Sequence, residues 1–297
     1  MTIAARLASR SAPWAMVGAS RAGVGALVAL VVALHLRVPI KTKRRGLSWA
    51  RSLLGTASML TTFYAISAPS LAVGTAVTLF ATSPIFIALL SPKILGEHPG
   101  RGLWSVLIVA FAGVSLVAGP QLGFAAGPAA SAISAAVFSA CAMMFLRMMR
   151  SGRDEGEPES AEAIALHFGL VGFAAHAVIS LFTFRMPEAR DVVWLFVAGL
   201  AGGLAQLAMT RAFALTEAAR LGAVGYLGTV MSFVGSVVFL GERPGFTQII
   251  GAMLVVGSGI VLALLSARRS LSPAAVSLEP VTAEPVSPGA ARPKASA

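Results

Sequence analysis

Residues 95–100 read LGEHPG, and residues 240–245 repeat the pattern as LGERPG. In each copy the glycine favours the left-handed conformation that ends a helix, and the proline suits the first turn of the next helix. The glutamate between them can face the positive end of that helix dipole. Both hexapeptides are therefore predicted to be tight turns between two helices at a membrane surface. The predicted hinge residues are Gly96, Glu97, Pro99, Gly241, Glu242 and Pro244.

The rest of the chain is strongly apolar. Of its 297 residues, 57% are hydrophobic and 12% are charged, and the mean hydropathy is +0.82. A soluble domain carries about 25% charged residues. This composition leaves too little polar surface to face water, so the sequence predicts a protein that crosses the lipid bilayer several times.

The net charge and the single cysteine exclude other classes of protein. A formal net charge of +11 also occurs in proteins that bind nucleic acid. Here the basic residues lie in short loops between apolar runs, so no nucleic-acid partner is predicted. Cys141 is the only cysteine and lies in an apolar run, so neither a disulfide framework nor a thiol metal site is expected. The sequence predicts no cofactor.

Nine apolar runs are long enough to cross a bilayer, which takes about 20 residues of helix. They lie at about 14–36, 49–67, 71–92, 103–119, 124–149, 161–184, 192–215, 221–240 and 246–266. Backbone groups cannot stay unpaired in lipid, so each run is predicted to be an α-helix. The predicted fold class is an all-α polytopic membrane protein.

The flanks of the two hexapeptides match as well. FYAISAPSLAVGTAV at 63–77 parallels TRAFALTEAARLGAV at 210–224. Five predicted helices separate the two hexapeptides, and because this number is odd, the two copies face opposite sides of the membrane. Such an inverted-topology repeat is the architecture from which secondary transporters build alternating access.

The repeats divide the chain into three parts. Residues 1–123 are predicted to form a first repeat of four helices, and residues 124–266 a second repeat of five helices. Two equal repeats would have five helices each. The first repeat is therefore predicted to lack its first helix. Residues 267–297 are rich in Pro, Ala, Ser and Val and are predicted to be a disordered cytoplasmic tail.

Lysine and arginine indicate the orientation, because cytoplasmic loops carry an excess of both. When the loops are assigned alternately to two sides, 17 of the 23 cations fall on one side and six on the other. The richer side is predicted to be cytoplasmic, and it includes the C-terminus. Residues 1–36 also carry cations without acids, as a targeting peptide does, but no convincing small-residue cleavage site follows them.

Several short motifs occur in one order along the chain. They are Arg21 after Pro13–Trp14, TSPIF at 82–86, LGE at 95–97, GGLAQLAMTRAFAL at 202–215 and LGE at 240–242. Together they resemble the EamA-type permeases of the drug/metabolite transporter superfamily, over about residues 12–266. The resemblance implies ten helices in two inverted halves, both termini in the cytoplasm, and movement of small metabolites across the bacterial inner membrane. The first helix of that family has no counterpart in this sequence.

Polar side chains inside the apolar spans are the candidate substrate-binding residues. They are costly in lipid, so they tend to line a cavity or to contact a neighbouring helix. An apolar pocket with a few converging polar groups is the usual form of a small-ligand site. Hydrogen bonding between helices is the competing explanation for each of them. The candidates are Arg21, Thr61, Tyr64, Thr78, His167, Gln206, Thr210, Arg211 and Tyr226.

The distribution of charge within the spans bears on the mechanism. None of the 12 acidic residues lies in the middle of a predicted helix. Coupled carriers usually keep a carboxylate near the midplane, so this absence favours facilitated diffusion or exchange, unless His167 or His176 carries a proton. Basic groups without acids also favour a substrate with a carboxylate or a phosphate.

The sequence therefore predicts an inner-membrane permease that moves small organic metabolites, amino-acid-like or otherwise small and including anionic compounds, by alternating access. The alternative is a truncated, non-transporting remnant or a membrane assembly partner. A membrane enzyme is not predicted, because the four histidines never occur at the spacing of an HExxH metal site. The predicted partners are a small-molecule substrate and the lipid bilayer, and the oligomeric state is left open.

Overall fold

Eleven α-helices account for most of the described residues, and no strand occurs among them. The computed structural model describes residues 1–94, 102–118, 125–150, 159–215 and 218–270. In chain order the helices are α1 (Thr2–Ala8), α2 (Trp14–Leu36), α3 (Arg45–Ser67), α4 (Val73–Phe80), α5 (Ser83–Ile94), α6 (Gly102–Ala118), α7 (Ala126–Arg150), α8 (Ala161–Thr183), α9 (Ala189–Leu215), α10 (Ala218–Leu240) and α11 (Phe246–Ser270).

Helices α2 to α11 lie at the predicted spans, with α4 and α5 sharing one span, and the protein is an all-α, multi-pass membrane protein. By length and composition alone, four helical segments are long and apolar enough to cross a membrane: Trp14–Leu36, Ala126–Met149, Ala161–Thr183 and Ala189–Ala212. Shorter apolar segments occupy Val73–Ile87, Ile108–Val117, Gly228–Leu240 and Phe246–Val261. Most of the predicted C-terminal tail lies outside the described residues.

The third predicted span is two helices rather than one. Helix α4 ends at Phe80 and helix α5 begins at Ser83. At the break, the hydroxyl of Thr82 donates a hydrogen bond of 2.7 Å to the carbonyl oxygen of Leu79. Pro84, in the first turn of α5, has no N–H with which to continue the ladder. The prediction of one continuous helix over 71–92 was therefore wrong at this point.

Glycine and alanine allow the long helices to approach each other closely. A Cβ atom built on Gly203 of α9 would lie 2.7 Å from the Cα atom of Gly25 on α2. A Cβ atom on Gly251 of α11 would lie 2.7 Å from the carbonyl oxygen of Gly113 on α6. Helix α2 packs against α8 and α9, α3 packs against α7 and α8, and α6 packs against α11.

The second hexapeptide is a tight turn, as predicted, but its glutamate contacts a different helix. Gly241 has φ +67°, a left-handed conformation that glycine adopts readily, and it ends α10. The carboxylate of Glu242 accepts hydrogen bonds from the backbone N–H groups of Val73, at 2.7 Å, and Gly74, at 3.1 Å. Glu242 therefore caps α4, in the first half of the chain, instead of α11.

The remaining hinge residues divide into two groups. Pro244 lies two residues before the first residue of α11, where the amide oxygen of Gln248 accepts a hydrogen bond of 2.8 Å from the backbone N–H of Gly245. Gln248 thus fulfils the capping role that the sequence had assigned to the glutamate. The three residues of the first hinge, Gly96, Glu97 and Pro99, lie outside the described residues.

A short helix precedes the first predicted span. Helix α1 packs against α9, and the guanidinium of Arg6 donates hydrogen bonds of 2.7 Å to the carbonyl oxygens of both Ile66 and Ala68. The hydroxyls of Ser9 and Ser67 lie 2.6 Å apart. The sequence analysis treated this segment as a loop, because seven residues are too few to produce a membrane-span signal.

Candidate functional site

A cavity of about 260 Å³ lies between α3, α4, α7 and α10, beside the start of the chain. Its wall is mostly apolar and includes the ring of Phe80, while Thr62, Thr229 and Ser232 contribute hydroxyl groups. An apolar wall with a few polar groups is typical of sites for small organic ligands. The cavity is lined by Met1, Thr2, Thr62, Ala65, Ile66, Ala76, Val77, Phe80, Ala132, Gly228, Thr229 and Ser232.

Two predicted substrate-binding residues, Thr61 and Thr78, are close in sequence to lining residues but do not line the cavity themselves. The hydroxyls of Thr61 and Thr78 donate to carbonyl oxygens of their own helices, at 2.9 Å to Ala57 and 2.8 Å to Gly74. Thr62 lines the cavity in place of Thr61, because successive residues of a helix point about 100° apart. The choice between such neighbours requires knowledge of the helix interface, which the sequence does not contain.

Tyr64 and Tyr226 are also separate from the cavity lining. Tyr64 is exposed over 41% of its surface, and its ring meets the Trp14 ring edge to face, with the centroids 5.9 Å apart. Tyr226 belongs to α10, but its side chain lies outside the described part of the structure.

A second polar group of side chains lies between α2, α3, α8 and α9. We call Arg21, Arg51 and Phe168 the basic cluster. The guanidinium carbon of Arg51 lies 4.2 Å from the centroid of the Phe168 ring, and that of Arg21 lies 5.8 Å from the same centroid. Both arginines therefore make cation–π contacts with one aromatic ring.

The structure brings three of the predicted residues together beside this cluster. Arg21 donates long hydrogen bonds to the carbonyl oxygen of Gly202, at 3.4 Å, and to the side-chain oxygen of Gln206, at 3.5 Å. The amide nitrogen of Gln206 in turn donates to the hydroxyl of Thr210 at 3.3 Å. Arg21, Gln206 and Thr210 thus form one polar chain along the interface between α2 and α9.

His167 lies on the α3 side of the same region. Its Nδ1 atom is 2.8 Å from the hydroxyl of Ser52, and its ring meets the Trp49 ring edge to face, with the centroids 4.9 Å apart. Ser52 follows Arg51 in α3, and His167 precedes Phe168 in α8. His167 is thus a neighbour in sequence of the cluster residue Phe168, and it contacts the neighbour of Arg51.

Arg211 is engaged in an ion pair. Its guanidinium donates to one carboxylate oxygen of Glu162, with the Nε atom at 2.8 Å. The Glu162 carboxylate is buried at the start of α8, whereas the Arg211 side chain is 43% exposed. The sequence analysis placed Glu162 at a helix edge and did not pair it with a cation.

His176 is fully buried, and its Nδ1 atom lies 2.7 Å from the carbonyl oxygen of Gly172. The imidazole is surrounded by the rings of Trp14 and Phe63, whose centroids lie 6.5 and 6.1 Å away. These contacts are those of a packing residue.

Sequence reasoning missed Arg51. The residue follows the basic loop that begins at Arg37, and it was counted with the cytoplasmic cations of that loop. Helix α3 begins at Arg45, earlier than the predicted 49, so Arg51 lies in its second turn and is only 1% exposed. The polar sequence RGLSWARS at the start of α3 concealed the helix boundary, and with it the burial of this arginine.

The sequence matches one family model over most of its length. That model describes the EamA-like transporter family, and it matches residues 1–119 and 128–265. A solved crystal structure superposes with a TM-score of 0.65 at 19% identity, covering 87% of this chain and 91% of the other. At 19% identity, this structural match establishes that the two chains share a fold.

Several curated relatives are transporters. An uncharacterised transporter of Helicobacter pylori (strain ATCC 700392 / 26695) is 28% identical over 225 residues, covering 74% of both chains. A pseudopaline exporter of Pseudomonas aeruginosa (strain UCBPP-PA14) is 27% identical over 259 residues, covering 86% of this chain and 88% of its own. A riboflavin transporter of Rhizobium johnstonii is 25% identical over 202 residues, covering 67% of this chain and 64% of its own.

Proposed function

Because the chain belongs to the EamA-like transporter family, we propose that it is a permease that moves small organic metabolites across a bacterial inner membrane by alternating access. The observation that carries the proposal is the cavity of about 260 Å³ between α3, α4, α7 and α10. A volume near the lower end of the range for small-ligand sites suits a compact metabolite.

The relatives and the cavity lining support a small organic cargo. The names of two relatives specify different molecules, pseudopaline and riboflavin, so they indicate a class of cargo and no particular compound. The lining contains four residues with a hydroxyl group, Thr2, Thr62, Thr229 and Ser232, among otherwise apolar residues. This lining suits an amino-acid-like compound, or another small molecule with both a polar and an apolar part.

Alternating access requires two halves that can rearrange around the cavity. We propose that the two matched segments are inverted repeats with boundaries near residues 1–123 and 124–266. Helices at corresponding places pack against each other, α2 against α8 and α6 against α11. In the same correspondence α1 matches α7, and α9 matches α3. The contact of α1 with α9 therefore corresponds to the contact of α7 with α3.

The excess of cations on one side supports a cytoplasmic C-terminus. On that side lie 17 of the 23 lysines and arginines. In this orientation α3 begins at the cytoplasmic face, and the loop between α10 and α11 lies at the outer face.

Filling the cavity tests the proposal. An added Cβ at Gly228 of α10 would meet no atom within 4 Å, although Gly228 lines the cavity. Gly228→Leu should therefore occupy the cavity without disturbing helix packing. Uptake and efflux of a metabolite panel in proteoliposomes should fall about tenfold or more, which corresponds to about 1.4 kcal/mol of lost binding.

Gly46→Leu is the matched control. Gly46 also has no atom within 4 Å of an added Cβ, but it lies in the first turn of α3, is exposed, and does not line the cavity. It should keep the flux of the unaltered protein. Equal flux in both variants would show that the cavity is not the transport route. If the unaltered protein moves no compound in either direction, the alternative function, a non-transporting membrane component, replaces the permease.

A further inference from the structure

We propose that the basic cluster is an oxyanion-binding site, separate from the cavity, that receives the carboxylate or phosphate group of the transported solute. The proposal rests on the proposed permease function, and it adds a second site and a substrate class to it. Its central residue is Arg51, which was not among the candidates predicted from sequence.

Arg51 is a buried cation whose hydrogen-bonding capacity is largely unused. The side chain is 1% exposed, and its Nε and Nη1 atoms have no hydrogen-bond partner among the described residues. Leaving a buried charged donor unpaired is costly. The face of the Phe168 ring attracts the guanidinium, but this cation–π contact is weaker than charge-assisted hydrogen bonds to an oxyanion.

A second cation of the cluster is available to the same ligand. Among the described residues Arg21 makes two hydrogen bonds, and both are long, at 3.4 and 3.5 Å. A ligand oxygen between the two guanidinium groups would complete the coordination of both and reduce their mutual repulsion.

No carboxylate of the described residues neutralises the cluster, because each one is engaged elsewhere. Glu159 accepts a hydrogen bond from the backbone N–H of Arg44, and Glu162 accepts one from the Arg211 guanidinium. Glu188 pairs with the Arg190 guanidinium, and Asp191 accepts a hydrogen bond from the Ser11 hydroxyl. Glu242 accepts hydrogen bonds from the N-terminus of α4.

The cluster and the cavity lie at different depths along α3. Arg51 and Thr62 are separated by eleven residues, or about three turns, so they lie on nearly the same face about 16 Å apart along the axis. The two sites therefore follow each other across the membrane. The cluster lies toward the end at which α3 begins, which is the proposed cytoplasmic side.

Thermal unfolding of the full chain in neutral detergent, without added anionic lipid, tests the site directly. The probes are inorganic phosphate, succinate and the uncharged analogue succinamide, and the signal is intrinsic tryptophan fluorescence. We expect phosphate or succinate to raise the apparent Tm, and succinamide to leave it unchanged. In Arg51→Gln the concentration that gives half of this shift should rise about tenfold or more, because a charged partner of the ligand is lost.

Two comparisons separate this result from a general effect of charge. Arg37→Gln removes an exposed cation at the end of α2 and should keep the full anion-induced shift. Without ligand, Arg51→Gln should be at least as stable as the unaltered protein, because it removes an uncompensated buried charge. Anionic phosphatidylglycerol added in place of the solutes should not reproduce the shift. If it does, the oxyanion belongs to lipid and the assignment to a solute is overturned.

The site and the permease fail in different ways. An anion-induced shift that is the same in Arg51→Gln, or absent from the unaltered protein, overturns the site, whatever proteoliposome flux shows. If Arg51→Gln leaves the flux of both neutral and anionic metabolites unchanged, the binding site is also overturned, while the permease proposal stands. Absence of all flux, together with an anion-induced shift that depends on Arg51, removes the permease and leaves the binding site.

Discussion

His176 fits between α2 and α8 because residue 18 is a glycine. A Cβ built at Gly18 would lie 2.0 Å from the Cδ2 atom and 2.4 Å from the Nε2 atom of His176. Such contacts are far inside van der Waals distance, and the imidazole is enclosed by the rings of Trp14 and Phe63. The ring therefore has little room to move away.

Gly18→Ala should destabilise the protein by about 1–3 kcal/mol, the usual cost of overpacking a core. The apparent Tm in detergent should fall accordingly. Adding His176→Ala to Gly18→Ala should recover part of the loss, since the clashing ring is gone. Gly46→Ala is the control, because nothing lies within 4 Å of an added Cβ there. An unchanged Tm in Gly18→Ala would contradict this account of the packing.

Single residues were the least predictable part of the molecule. Arg21, Gln206 and Thr210 were chosen as candidates from sequence because isolated polar residues stand out within apolar spans, but the hydrogen bonds that join them were not predicted. Arg51 was missed because it adjoins a run of loop cations, and its burial depends on contacts with α8. Whether a lone polar residue of a helix lines a cavity or bonds to its own backbone, as Thr62 and Thr61 illustrate, depends on the neighbouring helix.

Among the helices, α4 has the most unusual support. Its first N–H groups are bonded by the carboxylate of Glu242, which comes from the turn between α10 and α11. A carboxylate at this end also interacts favourably with the helix dipole. The contact is non-local, since 169 residues separate Val73 from Glu242.

Glu242→Ala should weaken the start of α4 by about 0.5–2 kcal/mol, as the loss of a helix cap does. Hydrogen exchange of the Val73 and Gly74 amides should become faster, by about fivefold for each kcal/mol. Arg243→Gln changes the neighbouring exposed charge of the same turn and should leave these amides unchanged. Equal exchange in all three proteins would mean that the cap does not stabilise α4.

The helices themselves were largely predictable. Length, apolarity and the Gly and Pro residues between the runs located eight of the nine spans to within about four residues at each end. The break between α4 and α5 was not found, because it depends on the local hydrogen bond from Thr82 as well as on proline. The partner of Glu242 was also not found, because the sequence near the turn suggests only its own two helices.

For the whole molecule, the proposed inverted arrangement makes a prediction about exposed loops. Lys41 lies between α2 and α3, and Met186, 83% exposed, lies between the corresponding helices α8 and α9. Inverted repeats require these two loops to face opposite sides of the membrane. Arg243, after one further pair of helices, should face the same side as Met186.

Single cysteines in a Cys141→Ser background measure this directly, since the chain has no other cysteine. We expect Met186→Cys and Arg243→Cys to react with a membrane-impermeant maleimide added to intact cells. Lys41→Cys should react only after the cells are permeabilised. Labelling of Lys41→Cys and Met186→Cys from the same side would refute the inverted arrangement.

The cap on α4 has a consequence for how the chain divides mechanically. Helix α4 belongs by sequence to the first half, yet its leading end is fastened to the turn of Glu242, and its sides pack against α7 and α10. Behind it, the interruption at Ala81 and Thr82 separates it from α5. We therefore expect α4 to move together with α7 and α10 when the proposed repeats rearrange, with the break at Ala81 and Thr82 as the hinge within this membrane crossing.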